Sequence, residues 1–252
     1  MRTTTLVIPC FNEYDRLPVD GWAAYSRDHG IGLVLVDDGS TDGTGDRLRS
    51  LADGTTAPCA VIRLSHNLGK GEAVRRGLLA ALEGGAEVVG FADADMATRP
   101  DDLARLFLML EERETAEVVV GARVQLLGRR IRRSFGRHVL GRVFASFASL
   151  ILDLPIYDTQ CGAKVFRATP TLAAALERPF AGRWAFDVEL LGRIAHDMRR
   201  RNVDPARHIV EEPLMAWRER QGSALGPIAM GRAGLDLVRI WWRLRRLRRE
   251  RA

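Results

Sequence analysis

Apolar residues gather in five short runs, each cut off by polar residues: Thr4–Pro9 (TTLVIP), Ile31–Val36 (IGLVLV), Ala60–Leu64 (AVIRL), Glu87–Ala92 (EVVGFA) and Val118–Gly121 (VVVG). Runs this short and this continuously apolar predict strands covered on both faces. Helical stretches separate them. Gly71–Leu82 places Ala73, Leu78 and Leu82 on one side, and Pro100–Arg113 opens with proline and two acids, a helix start. Strands alternating with helices imply βαβ units and an α/β fold on a mostly parallel sheet. Right-handed crossovers then bring the C-terminal strand ends to one edge, where open α/β sheets bind ligands. The polar clusters Asp37–Ser40, Ser65–Gly69 and Asp93–Asp95 all follow strand ends, so they are expected to converge.

After about residue 125 the alternation fades. Arg137–Leu152 reads as an amphipathic helix carrying Phe144, Phe147 and Leu150, and Leu235–Arg251 as another carrying Leu235, Val238, Trp241, Trp242 and Leu244 among arginines. The expected organisation is a catalytic α/β domain over residues 1–225 and a basic amphipathic helix over 226–252. The longest apolar stretch, Val143–Ile156, is broken by Asp153 and falls short of the roughly 20 residues of a membrane span. Met1-Arg-Thr-Thr-Thr leads straight into the first strand, which leaves no room for a signal peptide.

A hydrophobic content of 46% suits a globular protein. Cys10, Cys59 and Cys161 are far apart and odd in number, so they read as reduced thiols and not as a disulfide framework or a metal site. Net charge is +6, and every basic side chain but Lys70 and Lys164 is arginine. That bias makes the position of the arginines more telling than their number. They crowd Arg123–Arg142 and Arg239–Arg251, blocks that call for an anionic partner. A terminal arginine run without a nucleic-acid-binding signature is weak support for a nucleic-acid partner, and none is expected.

Asp93 and Asp95 end the fourth run one residue apart, which points both carboxylates to one side of an extended segment. Hard oxygen ligands at a strand end suit Mg²⁺ or Mn²⁺ held against a phosphate, although a pair of solvated turn acids would look the same. In VDDGSTDGT (Val36–Thr44) the acids suit hydrogen bonds to a base or ribose, with Ser40 or Asp42 as a helix N-cap. In NLGKGEAVRRG (Asn67–Gly77) glycines precede a helix, and Lys70 is placed to meet a diphosphate. Neither a Walker sequence nor Gly-x-Gly-x-x-Gly after the first strand is present.

IPCFNE, VDDGSTDGT, NLGKGEAVRRG and DAD, in this order, resemble the inverting family 2 glycosyltransferases of GT-A (Rossmann-like) fold. DTQCGAKVFR (Asp158–Arg167) and RWAFDVELL (Arg183–Leu191) are similar to their dolichyl-phosphate β-glucosyltransferase branch. The resemblance implies that Pro9, Phe11, Glu13, Val36, Asp38, Asp93 and Ala94 line the nucleotide pocket, and that Asp95 ligates the metal bridging to the diphosphate. It implies that Arg123 reaches donor or acceptor phosphates, that Arg133 and Arg137 lie near the acceptor, and that Arg218 closes over the diphosphate. Ala224 stands where polyprenyl-phosphate mannosyltransferases often carry a lysine.

A sugar hydroxyl acceptor needs a carboxylate base, whereas a phosphate monoester, with a second pKa of about 6, is already anionic and needs cations instead. The arginine cluster after the fifth strand fits the latter. Asp187 and Glu189 are candidates for contacts to sugar hydroxyls, Glu189 also for a base toward an alcohol; the alternative is a helix with polar outward positions. The expectation is inverting transfer of glucose from UDP-glucose to a dolichyl or polyprenyl phosphate. The enzyme would be peripheral on the cytoplasmic face of the membrane, with its amphipathic helices in the interface. Competing readings are GDP-mannose as donor, a hydroxyl acceptor, a nucleotidyltransferase, and a membrane-binding module with a degenerate pocket.

Overall fold

A computed structural model of the chain describes residues 2–132, 135–218 and 227–249, without the side chains of 132, 135–140, 218, 227–233 and 248–249. Nine strands are described: β1 (Thr4–Cys10), β2 (Gly32–Asp37), β3 (Cys59–Arg63), β4 (Val88–Ala92), β5 (Val118–Ala122), β6 (Arg130–Arg132), β7 (Ala163–Arg167), β8 (Ile209–Pro213) and β9 (Ala216–Arg218). The helices are α1 (Val19–His29), α2 (Thr44–Asp53), α3 (Lys70–Glu83), α4 (Pro100–Glu112), α5 (Phe135–Leu152), α6 (Pro170–Leu176), α7 (Phe186–Arg200), α8 (Pro205–His208) and α9 (Pro227–Arg249).

Seven strands form one sheet in the order β3-β2-β1-β4-β7-β5-β8. All pairings are parallel except those of β7, which runs antiparallel between β4 and β5. The period of two explains the continuous apolar runs. Val7, Val34, Val36, Val89, Phe91, Val118 and Phe166 point into one core with α3, α6, α7 and α9. Leu6, Ile8, Leu33, Leu35, Val88, Val119 and Val165 point into the other with α1, α2 and α4. Each fully buried Leu, Val, Ile or Phe contributes about 1.5–3 kcal/mol. β6 and β9 make a small parallel ribbon, tied to the main body by a bridge between Thr98 and Trp217.

The two late helices bury different stripes from those the sequence pattern suggests. On α9 the stripe Leu237, Ile240 and Leu244 (i, i+3, i+7) enters the core, so Leu235, Val238 and Trp242, at the same spacing, face outward. On α5 the small residues Ala145 and Ala148 and Leu152 face the core. Phe144 is half-buried against it, while Phe147 and Leu150 are 57% and 77% exposed. No described helix is long and apolar enough to cross a membrane.

Candidate active site

The loops after β1 and β2 are stitched together by their polar side chains. Asn12 N–H donates to Ser40 Oγ (3.0 Å), Thr41 N–H to Asn12 Oδ1 (3.0 Å) and Glu13 N–H to Thr44 Oγ1 (2.8 Å). Asp37 is fully buried and accepts from Ser40 N–H, and Asp42 accepts from Thr44 and Tyr14 N–H. The N-cap position of α2 is Gly43, not Ser40 or Asp42; Ser40 is spent on the loop, while Asp42 Oδ1 still takes the first helical N–H, that of Thr44 (3.0 Å). Asp38 accepts from Leu68 N–H (2.7 Å) and Gly69 N–H (2.8 Å), so the β2 end clamps the glycine loop that precedes Lys70. Burial pushes the Asp38 carboxyl up, and the two N–H donors oppose this. Gly69 holds φ 99° with Arg183 directly above it, a place no side chain fits.

At the β4 end, Lys70 Nζ donates to Asp93 Oδ1, and both side chains are about one-third exposed. Burial works to lower the Lys70 pKa, but Asp93 and Asp187 outweigh it and raise it. Asp95 Oδ1 accepts from Ala97 N–H (3.0 Å), and Ala94 O accepts from Trp22 Nε1 (2.8 Å), which fixes the turn. Glu13 lies within electrostatic reach of both aspartates; burial first, then Asp95 and Asp93, push its carboxyl up to about 7. Its Oε2 is buried without a hydrogen-bond partner. Its Oε1 accepts from Arg16 (2.8 Å), which offsets part of that rise, and an unpartnered carboxylate oxygen within electrostatic reach of two aspartates is a setting a hard divalent cation relieves. Among the described residues no group of three or more metal-ligating side chains is assembled, so ligand oxygens would complete the shell.

The structure brings Pro9, Phe11, Glu13, Asp38, Lys70, Asp93, Ala94 and Asp95 to the same sheet edge, on β1, β2 and β4 and on the loops and helix that follow them. Phe11 is exposed at its mouth, whereas Val36 has no exposed surface and offers only its backbone. Arg123 differs from expectation. Its Nε and Nη2 fork onto Asp158 (2.7 and 2.8 Å) and its guanidinium lies over the Trp217 ring (5.2 Å), leaving the side chain 12% exposed. It brings a neutralised pair to the site wall, not an open cation. Arg133 lies outside the described residues, as does Ala224; Arg137 and Arg218 fall on α5 and β9, their side chains not described.

Asp187 and Glu189 are not outward-facing positions of α7. Asp187 is 4% exposed, with Oδ1 2.5 Å from Lys164 Nζ. Glu189 is fully buried and accepts from Ala181 N–H (2.6 Å), Arg193 (2.6 Å) and Arg243 (3.2 Å). It ties α9 to α7, which removes it as a base. Sequence reasoning missed Asp158, Trp217, Lys164 and Asp102. Asp102 resembles an ordinary first-turn acid, yet it is buried and receives Met215 N–H (2.8 Å) and Ala216 N–H (3.1 Å), anchoring the strand that carries Arg218.

A doubly wound sheet with an acidic pair, a lysine and a clamped glycine loop at one edge defines the class of nucleotide-sugar transferases with a GT-A fold. The chain matches the family model "Glycosyl transferase family 2" over residues 5–171 and belongs to that family. It is 33% identical to the dolichyl-phosphate beta-glucosyltransferase of Drosophila melanogaster, covering 95% of this chain and 74% of that one. It is 28% identical to the undecaprenyl-phosphate mannosyltransferase of Micrococcus luteus, covering 95% and 93%. The fold is shared with glucosyl-3-phosphoglycerate synthase from Mycobacterium tuberculosis, in a structure with Mn²⁺, uridine diphosphate and glucosyl-3-phosphoglycerate. That match has a TM-score of 0.69 at 19% identity, over 96% of this chain and 80% of that one.

Proposed function

We propose that this glycosyltransferase transfers glucose from UDP-glucose to a dolichyl or polyprenyl phosphate, with inversion, on the cytoplasmic membrane surface. The observation that carries the reading is the fate of the late carboxylates. Asp187 and Glu189 are the first-turn acids of α7 that could serve as a base to an alcohol, and both are consumed in buried ion pairs. A phosphate acceptor, already anionic at neutral pH, needs no such base. The similarity to dolichyl-phosphate glucosyltransferases supports the same acceptor.

In this reading Lys70 faces the diphosphate oxygens and offsets the charge that develops as the anomeric C–O bond breaks. Asp95, with Asp93 and Glu13 nearby, would hold Mg²⁺ or Mn²⁺, which supplies further neutralisation of the leaving diphosphate. Asp38 keeps the glycine loop close enough for Lys70 to reach its ligand. Arg133 and Arg137 are the cations assigned to the acceptor phosphate, and Arg218 the one that closes over the diphosphate. On the β6–β9 ribbon, Arg218 pairs in register with Arg132. Attack from the face opposite the leaving group inverts the anomeric centre. Exposed Phe147 and Leu150 on α5, and Trp241 and Trp242 on α9 with Arg239, Arg245 and Arg246, suit an anionic bilayer surface. Each arginine there contributes about 1 kcal/mol.

The test is a donor panel of radiolabelled UDP-glucose, UDP-galactose and GDP-mannose with polyprenyl phosphate in vesicles and Mn²⁺. Label is expected in the organic phase with UDP-glucose, lost in excess EDTA and in Asp95→Asn. Transfer from GDP-mannose alone, or transfer that survives EDTA, overturns the donor or the metal assignment respectively.

A further inference from the structure

Beneath the donor site lie charges that the proposed chemistry leaves unused. Lys164 stands in the middle of β7 with no exposed surface, among Ala163, Val165 and Phe166. A lysine is almost never buried this completely unless paired. Its ammonium donates to Asp187 Oδ1 (2.5 Å) and to Cys161 O (2.7 Å) and lies 5.2 Å from the Phe91 ring centroid. Stability alone gives little reason to keep such a pair, because a well-packed apolar replacement is often neutral or better.

Its position does give one. β7 is antiparallel to β4, with Lys164 opposite Phe91, two residues before Asp93. Asp187, in the first turn of α7, faces Lys164 on one side and lies within electrostatic reach of Lys70 on the other. Asp93 and Lys70 thus form one ion pair at the site and Asp187 and Lys164 a second, deeper one, with Lys70 and Asp187 in electrostatic reach of each other.

We propose that Lys164 is a positioning residue for sugar transfer: by pairing with Asp187 it fixes the inner carboxylate that, together with Asp93, holds the Lys70 ammonium at the diphosphate. The inference rests on Lys70 facing the donor diphosphate, as argued above. Burial pushes the Asp187 carboxyl up and Lys164 pulls it back, so loss of Lys164 favours a neutral acid and leaves Lys70 with one inner counter-charge fewer. The effect reaches the reacting atoms only through Lys70.

The experiment compares Lys164→Met, the charge-neutral pair Lys164→Met/Asp187→Asn, Lys164→Arg and Lys70→Met, alone and combined. The readouts are melting temperature, affinity for UDP with Mn²⁺ by calorimetry, and kcat and KM for transfer. The neutral pair is expected to regain the melting temperature lost in Lys164→Met, yet to bind UDP about tenfold more weakly and to lose more in kcat than in KM. Adding the neutral pair to Lys70→Met is expected to cost little beyond Lys70→Met alone, as for residues that act through Lys70. Lys164→Arg, which keeps the charge, should recover most of the rate. Return of UDP affinity and kcat with the melting temperature in the neutral pair overturns the proposal, as does full additivity with Lys70→Met. The UDP arm does not depend on the acceptor: a wrong acceptor shows as a wild type that binds UDP and transfers nothing to lipid phosphate.

Discussion

Replacing Gly162 by alanine separates the geometry of the donor site from the stability of the fold. A Cβ at Gly162 would lie 1.8 Å from Asp93 Oδ2 and 2.2 Å from its Cγ. Ordinary contact requires the carboxylate to retreat by about 1.5 Å. The main chain has no room to yield, because Asp93 N–H donates to Gly162 O (3.1 Å) and Ala92 pairs with Ala163 next door. The side chain must therefore swing, and it leaves Lys70. A misplacement of about 1 Å near the reacting centre costs on the order of 10²-fold in rate. Gly162 does not hold a positive φ, so alanine is compatible with the backbone and, by restricting the unfolded chain, stabilises by up to about 1 kcal/mol. The expected result is a melting temperature near wild type and a kcat for transfer from UDP-glucose to polyprenyl phosphate about 100-fold lower. Gly85→Ala is the opposite control: φ is +79° with open space around it, so it costs about 1 kcal/mol and leaves the rate unchanged. Gly162→Ala turning over within threefold of wild type refutes the placement of Asp93 in the donor site.

Two further outcomes follow from the same geometry. Glu13, with its carboxyl raised from 4.5 to about 7 by burial and by Asp95 and Asp93, binds a proton in the folded state that the unfolded chain releases near pH 4.5. Stability in EDTA should therefore fall as pH rises from 4.5 through 7, by at most about 3 kcal/mol, and Glu13→Gln should flatten that slope in denaturant titrations at several pH values. The double change Trp241→Ala/Trp242→Ala, at positions 36% and 60% exposed, should weaken co-sedimentation with anionic vesicles about tenfold or more without moving the melting temperature by more than a few degrees.

The N-terminal half was legible because its strands are covered on both faces, and Thr4–Cys10, Gly32–Asp37 and Val88–Ala92 announce that as unbroken apolar runs. The acids and glycines at their ends had to meet at one edge by topology alone. The later half was less so. β7 hides because Lys164 interrupts its apolar pattern, and β8 (IVEEP) carries two glutamates whose burial depends on what packs over them. Asp187 and Glu189 read as sugar contacts or as helix surface, because Lys164 on β7 and Arg243 on α9, 23 and 54 residues away in sequence, are not visible as their partners; only Arg193, one turn on from Glu189, is local. The resemblance placed Arg123 near the phosphates, and nothing local marks Asp158, 35 residues on, as its partner. Position along the chain shows a charge; only the tertiary partner shows whether it is spent.

The reversed strand in the middle of the sheet also dictates when a nascent chain can fold. β4 and β5 never touch each other; each waits for β7, and β5 for β8 as well. Until the ribosome has delivered Ala163–Arg167, two wholly apolar strands carry unsatisfied edges, the kind of surface that aggregates or recruits chaperones. Such distant pairings also slow folding. A fragment cut at the end of the family match, residue 171, would still lack β8, so expression boundaries belong beyond Pro213.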